Sequence, residues 1–399
     1  MDIRDEQRAR RAFQARIAIS AGFMCNGLIL AAWVSRIPEI TERIDLSSGD
    51  TGTAFMGIAL GSITVFPFFG RIVTVRGSAN MLTIAGLFLA AAMPFAPFAP
   101  NLWTLFLVLY LSGFGVGGTE VAMNTQGVEV ERFGRKNIMS SLHGFYSVGA
   151  FVGAGFGALM ATVGVSPRIH IPAVCLFCAV VYITSRRWAI PDAPRDPSIK
   201  PPPAFAFPPR SLWLIGLVGI AVAVAEGGIA DWGGLYLNED LHRSPGFAAL
   251  AFTLFQLSML IFRFMGDRLV ARFGAVNVLR VGAIVATLGL VVGIGLHEAI
   301  PALIGFMLAG AGVAVAFPLV FSAAANKPGL AQAHSVAAIS ALAYSGFLMG
   351  PPILGWFAEA TSLRVMFGVI AGLCALVVFI ADAVKGAGVV TEEIPVNPD

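Results

Sequence analysis

Twelve apolar stretches run along the chain, near residues 15–35, 50–69, 80–99, 102–124, 137–162, 170–188, 212–237, 246–265, 276–296, 299–322, 333–356 and 364–384. Each is close to the ~20 residues a helix needs to cross a hydrocarbon core of about 30 Å. Lipid offers backbone N–H and C=O groups no partner, so a crossing stretch must be a helix or part of a closed barrel. Barrel strands would be roughly half as long and would alternate polar with apolar residues, and these stretches do not. Pro100-Asn101 nearly exhausts one connection and His297-Glu298 another, which forces antiparallel hairpins. The fold class that follows is an all-α polytopic membrane protein with 12 transmembrane helices. Only 12% of the 399 residues are Asp, Glu, Lys or Arg, about half the share of a soluble domain. A water-soluble globular enzyme is thereby excluded.

The placement of charge gives the orientation. Of the 26 Lys and Arg, 21 fall in the tails, the even-numbered connections and their helix ends, and five (Arg36, Arg43, Arg168, Arg243, Arg364) fall on the other side. The positive-inside rule then expects both termini in the cytoplasm. An even number of spans also puts them on one side. A net charge of +3 gives no reason to expect nucleic acid. The first apolar run follows a cluster of arginines, contains Asn26 and lacks a cleavage site, so it is expected to be a retained helix. Cys175 and Cys178 have the spacing of a metal or redox pair, but no second pair accompanies them, and packing is expected.

Residues 191–209 hold eight of the 23 prolines, the composition of a semi-extended linker. This predicts an N-terminal six-helix bundle over 1–190, a Pro-rich cytoplasmic linker over 191–210, and a C-terminal six-helix bundle with a short tail over 211–399. The halves carry matching features. Gly70 to Gly77, including Arg76, follows helix 2; Gly266 to Gly274, including Asp267, Arg268 and Arg272, follows helix 8. Helix 5 holds Gly149, Gly153, Gly155 and Gly157, and helix 11 holds Gly346, Gly350, Pro351, Pro352 and Gly355. Corresponding features in register predict an internal repeat.

These residues resemble the major facilitator superfamily (MFS), whose signature after helix 2 is Gly-x-Leu-Ala-Asp-Arg-x-Gly-Arg-Lys. Gly70, Ile72 and Gly77 match it, whereas Thr74 and, in the second copy, Ala271 replace the acid that normally latches one state. Asp267 with Arg263 or Arg268 can substitute for that latch. Asn26-Gly27, Trp33 to Pro38, Val121 to Asn124, Met139 to Gly144, Ala230-Asp231-Trp232 and Gly350-Pro351-Pro352 further resemble a bacterial YbjJ/MosC-type subgroup, and more distantly fucose:proton symporters. The resemblance implies two pseudo-symmetric bundles that rock about a central cavity, a bacterial inner membrane and a monomer. It also implies that helices 1, 4, 7 and 10 line the cavity while helices 2, 5, 8 and 11 form the bundle interface. The gating candidates are then Gly70, Gly77, Arg76, Asp267, Arg268, Arg272, Gly274, Gly149, Gly153, Gly346, Gly350 and Pro351.

Ionisable groups at membrane depth are costly and mark function. Glu120 in helix 4 and Glu226 in helix 7 are the first candidates for proton coupling, with Asp231 and His143 beside them. Each has a structural alternative: Glu120 paired with Arg135 or Lys136, Glu226 bonded to a neighbouring helix, Asp231 capping the outer end of helix 7, and His143 a satisfied interface side chain. Fucose:proton symporters use an acid in helix 4, which Glu120 resembles; their helix 1 acid is not matched, and Asn26 sits in that region. Candidate solute contacts are Asn26, Asn124, Trp232, Tyr344 and Gln256. Gly22, Asn26 and Trp33 share one face of helix 1, and Glu120 and Asn124 one face of helix 4. Trp232 and Tyr236, four apart, either stack on a sugar ring or mark the outer interface. Gln126 is assigned to the cytoplasmic mouth and Asn326 to a loop cap.

No GxxxxGK[ST] loop, HExxH or nucleophile elbow is present, so no cofactor and no enzymatic activity are expected. The reading is a secondary transporter of a small polar solute of sugar, polyol or amino-sugar type, coupled to protons. Drug or metabolite efflux is the alternative, although helix 4 has Leu109 near the place of the arginine usual in such antiporters. A sensor that kept the fold and lost transport is the alternative of another class.

Overall fold

The computed structural model describes residues 3–46, 48–192, 207–243, 247 and 250–388. Its twelve membrane-length helices are α1 (Glu6–Val34), α2 (Thr53–Arg76), α3 (Ser78–Phe98), α4 (Leu102–Gly134), α5 (Met139–Ala161), α6 (Pro167–Trp188), α7 (Arg210–Asp240), α8 (Leu250–Phe273), α9 (Ala275–Gly295), α10 (Ala299–Ala325), α11 (Gln332–Ala360) and α12 (Leu363–Val384). Most of the expected linker, residues 193–206, lies outside the described residues.

Several helices outrun their apolar stretches. α4 continues ten residues past Asn124, and Gln126, Glu129 and Glu131 on that extension are buried. Protein, not lipid, surrounds this segment, so hydropathy alone ended it too soon. Arg8 and Gly388, near the two limits of the described residues, lie on this side. Arg8 Nε donates to the Phe133 carbonyl at 2.9 Å, and the Gly388 amide donates to Ser322 Oγ at 2.9 Å. We call this the termini side and the opposite face the far side.

The packing repeats. α1 lies on α5, α2 on α4, α3 on α4 and α6 on α1; α7 lies on α11, α8 on α10, α9 on α10 and α12 on α7. The two six-helix bundles meet along α2–α11 and α5–α8. Two turns are repeated as well. Gly77 (φ +84°) and Gly274 (φ +78°) reverse the chain after α2 and α8, a left-handed conformation that a Cβ strains.

The glycines of α5 and α11 make close helix contacts, a task compatible with the gating expected of them. A Cβ on Gly149 would overlap the carbonyl of Met24, and one on Gly153 would lie 2.8 Å from the carbonyl of Leu28, both on α1. Gly346 and Gly350 face Ile220, Ala223 and Val224 on α7. They bring helices of one bundle together. Pro351 sits within α11 beside them. Gly70 alone of this set lies at the bundle interface, where a Cβ would come 2.8 Å from Ala333 O and His334 Cα of α11.

Helix contacts this close leave no room for a branched side chain. Gly149→Val should therefore force α1 from α5 and lower the melting temperature and monodisperse yield in detergent. Gly155→Ala, with nothing within 4 Å of the added methyl, should leave both unchanged. Equal behaviour of the two variants would contradict this packing.

Candidate functional site

Polar side chains gather where the bundles meet. Glu120 lies about 21 Å from the termini-side end of α4, and Glu226 about 24 Å from the termini-side start of α7, at 1.5 Å per residue. The two carboxyls are thus at one level, near mid-depth rather than in the termini-side third that a shorter α4 implies. Asn124 Nδ2, one turn along, donates to Glu120 Oε1 at 3.1 Å. The Tyr344 hydroxyl of α11 reaches the same carboxyl from the other bundle. Arg135 and Lys136 take no part in it.

Asn124 is fully buried, and its Oδ1 lies 3.1 Å from His143 Nε2 on α5. The His143 ring is held between Phe23 (centroids 5.1 Å apart) and Phe321 (5.8 Å, nearly parallel). Glu226 lies 3.6 Å from Arg263 Nη2 of α8. Arg263 Nη1 donates to Ser147 Oγ of α5 at 2.7 Å, while its Nε is buried without a partner. Tyr146 of α5 feels the charges of Glu120, Glu226 and Arg263 together. Phe66, Phe317 and Phe347 frame Tyr344 and Phe321. The result is one cluster of two carboxyls, a guanidinium, an imidazole, an amide and two phenols within an aromatic frame.

On the termini side of this cluster the bundles are clasped. Asp267 accepts the amides of Ser140 (2.9 Å) and Ser141 (3.0 Å) at the start of α5. Glu131 accepts those of Ile138 (2.8 Å) and Met139 (3.1 Å). Two carboxylates thus take the unsatisfied donors of one helix N-terminus, the end where the helix dipole favours negative charge. Arg132 donates to Asn326 Oδ1 (2.5 Å from Nη2) and to Gln332 Oε1 (2.6 Å) across the interface. Gln332 returns a bond to the Thr125 carbonyl at 2.9 Å.

Several expected residues lie elsewhere. Asn26 is 1% exposed and donates to Thr119 Oγ1 of α4 at 2.8 Å, so it sits in a helix contact; Oδ1 has no partner. Gly22 and Trp33 on the same face of α1 meet Leu82 and Phe55 of the same bundle. Asp231 is exposed and Gln256 half-buried, and neither joins the cluster. Trp232 packs on Gly355 of α11. Tyr236 is fully buried against Phe367 and His297, its hydroxyl 3.4 Å from the Ile294 carbonyl near the far-side turn, and it is not part of the cluster. Arg76, Arg268 and Arg272 are exposed. Asn326 is the C-cap of the helix that ends at Ala325, and its side chain accepts from Arg132 and donates to the Gly388 carbonyl at 3.4 Å. Asp267 is held by backbone amides, not by Arg263 or Arg268, because the start of α5 lies against its turn of α8.

Arg263 was not singled out as a site residue, although an arginine between Phe262 and Phe264 inside an apolar run is itself the signal. Arg132 and Glu131 gave no such signal, because hydropathy placed them beyond the membrane.

The transporter y4wD of Sinorhizobium fredii is 31% identical over 383 residues, covering 94% of this chain and all of that one. The chain belongs to the major facilitator superfamily. A superfamily profile matches residues 215–393. An MFS-type transporter of Yersinia pestis is 30% identical over 381 residues, covering 95% of this chain and 98% of its own. MosC of Rhizobium meliloti is 29% identical over 348 residues, covering 87% and 84%. Among solved structures, FucP in its outward conformation superposes with a TM-score of 0.76 at 16% identity, covering 92% of this chain and 98% of that one. The human organic anion transporter TETRAN gives 0.77 at 13%, covering 93% and 99%. At such identities the likeness shows the fold. This MFS protein is accordingly a membrane transporter, not an enzyme, and its partners are the lipid bilayer and a small-molecule solute.

Two outcomes follow from the geometry. Arg263→Ala leaves the partly buried Glu226 without its cation and should lower stability by less than the about 3–5 kcal/mol of a fully buried pair; Glu226→Ala in the same chain should restore most of it. Additive losses in thermal unfolding would contradict the pairing. Asp267→Ala should loosen the clasp, seen as a shift to longer distances between spin labels at Lys136→Cys and Pro328→Cys on the exposed termini-side turns. An unchanged distribution would rule out that role.

Proposed function

We propose that this MFS transporter is a secondary carrier that couples proton movement to transfer of a small polar solute, of sugar, polyol or amino-sugar type. Transfer takes place by alternating access across a bacterial inner membrane. The observation that carries this reading is the cluster of buried Glu120 and Arg263 with half-buried Glu226 at the meeting of the bundles, next to the clasp. FucP, named as a fucose:proton symporter, supports the coupling by likeness of fold. The excess of Lys and Arg on the termini side supports cytoplasmic termini. With that orientation the clasp closes the inner side. Residues 1–190 and 211–399 act as the two rocking bodies, and 191–210 as their tether, in a chain that works as a monomer.

The cluster suggests how coupling works. With both carboxyls ionised and one guanidinium, it carries net negative charge in a setting that penalises charge. A proton on Glu120 or Glu226 cancels that charge and removes an acceptor from Asn124 and Tyr344, or the counter-charge from Arg263. Solute hydroxyls can replace the freed hydrogen bonds, and the aromatic frame offers faces to an apolar ring surface. Arg263 and Asp267 are one turn apart on α8 and both grip α5. Release of Arg263 therefore acts directly on the clasp that must open next. Asp231, Trp232 and Gln256 lie outside the cluster, and this mechanism does not use them.

The test is internal pH in proteoliposomes while sugars, polyols and amino-sugars are added outside. Solute-driven acidification should appear in the parent protein and be abolished in Glu226→Gln or Glu120→Gln. Solute uptake with no pH change would refute proton coupling and leave a uniporter. Solute binding with no flux would refute transport and leave a sensor.

A further inference from the structure

At the far side, α3 and α4 do not close on each other. Between them runs an apolar groove of about 430 Å³ lined by Phe88, Ala91, Phe95, Phe98, Val108 and Leu111, with Ala99 at its mouth. Phe95 and Phe98 stand well exposed along it. From the turn at Asn101, which caps α4 through the Thr104 amide at 3.0 Å, to Leu111 is ten residues, or about 15 Å of helix. That is half of a hydrocarbon core of about 30 Å. The groove thus spans one leaflet and is open to it.

Its mouth is basic. Arg43 Nη2 donates to the carbonyl of Ala99 at 2.7 Å. Arg168 Nε donates to that of Pro97 at 3.3 Å, and its guanidinium lies over the Phe98 ring, 5.5 Å from the centroid. Two arginines from different parts of the chain, the segment after α1 and the start of α6, are therefore anchored to one three-residue segment of the groove wall. They are close enough to interact. Desolvation, and then the charge of Arg168, push the Arg43 guanidinium below its usual range. A sequence reading by the positive-inside rule finds only five basic residues on this face, and these are two of them. Like charges are held together where an acyl-sized channel reaches the headgroup level.

We propose that this groove and its two arginines bind one anionic phospholipid of the far leaflet, an acyl chain lying between α3 and α4 and the phosphate between Arg43 and Arg168. A zwitterionic lipid fills the same groove, but its own cation offsets the attraction, so the arginines select for net negative charge. At roughly 1 kcal/mol for each basic residue near a membrane surface, two of them give a preference of about thirty-fold.

Native mass spectrometry of the full-length, delipidated protein tests this, with phosphatidylglycerol against phosphatidylcholine of the same acyl chains. The parent protein should retain phosphatidylglycerol about thirty-fold better. Arg43→Gln with Arg168→Gln should reduce that to the phosphatidylcholine level, whereas Arg43→Lys with Arg168→Lys should keep the preference. Ala91→Trp, which fills the groove, should lower retention of both lipids. Equal retention of the two lipids by the parent protein would overturn the proposal, as would a preference that survives the glutamine pair. Displacement by free glycerol phosphate would also overturn it, because the mouth would then be a site for soluble anions.

Discussion

Hydrocarbon cannot hydrogen-bond, so a polar side chain at depth is held by protein, as Glu120, Asn124, His143 and Glu226 are here. Helices satisfy the backbone internally. Side chains are satisfied by neighbours on other helices, and these bonds then hold the helices together. Arg36 shows the rule within one bundle: it is 1% exposed, pairs with Glu39 at 2.8 Å and donates to the carbonyl of Val165 at 2.5 Å. Arg263 shows it between bundles. Its counter-charge is Glu226 on its own bundle and its hydrogen-bond partner Ser147 is on the other, so the bond to Ser147 is made only while the two remain docked.

The same constraint explains why site and clasp are neighbours. A carboxylate buried near the start of a helix finds free amides and a favourable dipole there. Glu131 and Asp267 both use the start of α5, one from each bundle. Because Asp267 shares α8 with Arg263, a change of charge in the cluster and a change of contact at the clasp are movements of one helix. The pieces needed for alternation between two closed states lie within a few turns of each other.

Small residues set the other half of the design. Gly149, Gly153, Gly346 and Gly350 weld α1 to α5 and α7 to α11, making each bundle stiff. Motion is left to the α2–α11 and α5–α8 contacts. Where small residues are replaced by Phe88, Phe95 and Phe98, between α3 and α4, the helices stand apart and the space is left for lipid.

The twelve spans, their hairpin order and the internal repeat were legible in the sequence, because hydropathy and glycine spacing are local properties set by the solvent around each segment. Glu120 and Glu226 were legible for the same reason, being ionisable residues inside apolar runs. Partners were not. Asn26 was expected to face a cavity and instead bonds Thr119; Asp267 was expected to meet an arginine and meets two amides. The face of a helix that looks inward depends on where its neighbours stand, and in lipid both faces are apolar, so periodicity does not mark it. The sequence alone determined that this chain crosses a membrane twelve times as two related halves. Only the tertiary structure decided which charges meet, because Glu226 and Arg263 stand on different helices and Asp267 and Ser140 in different bundles.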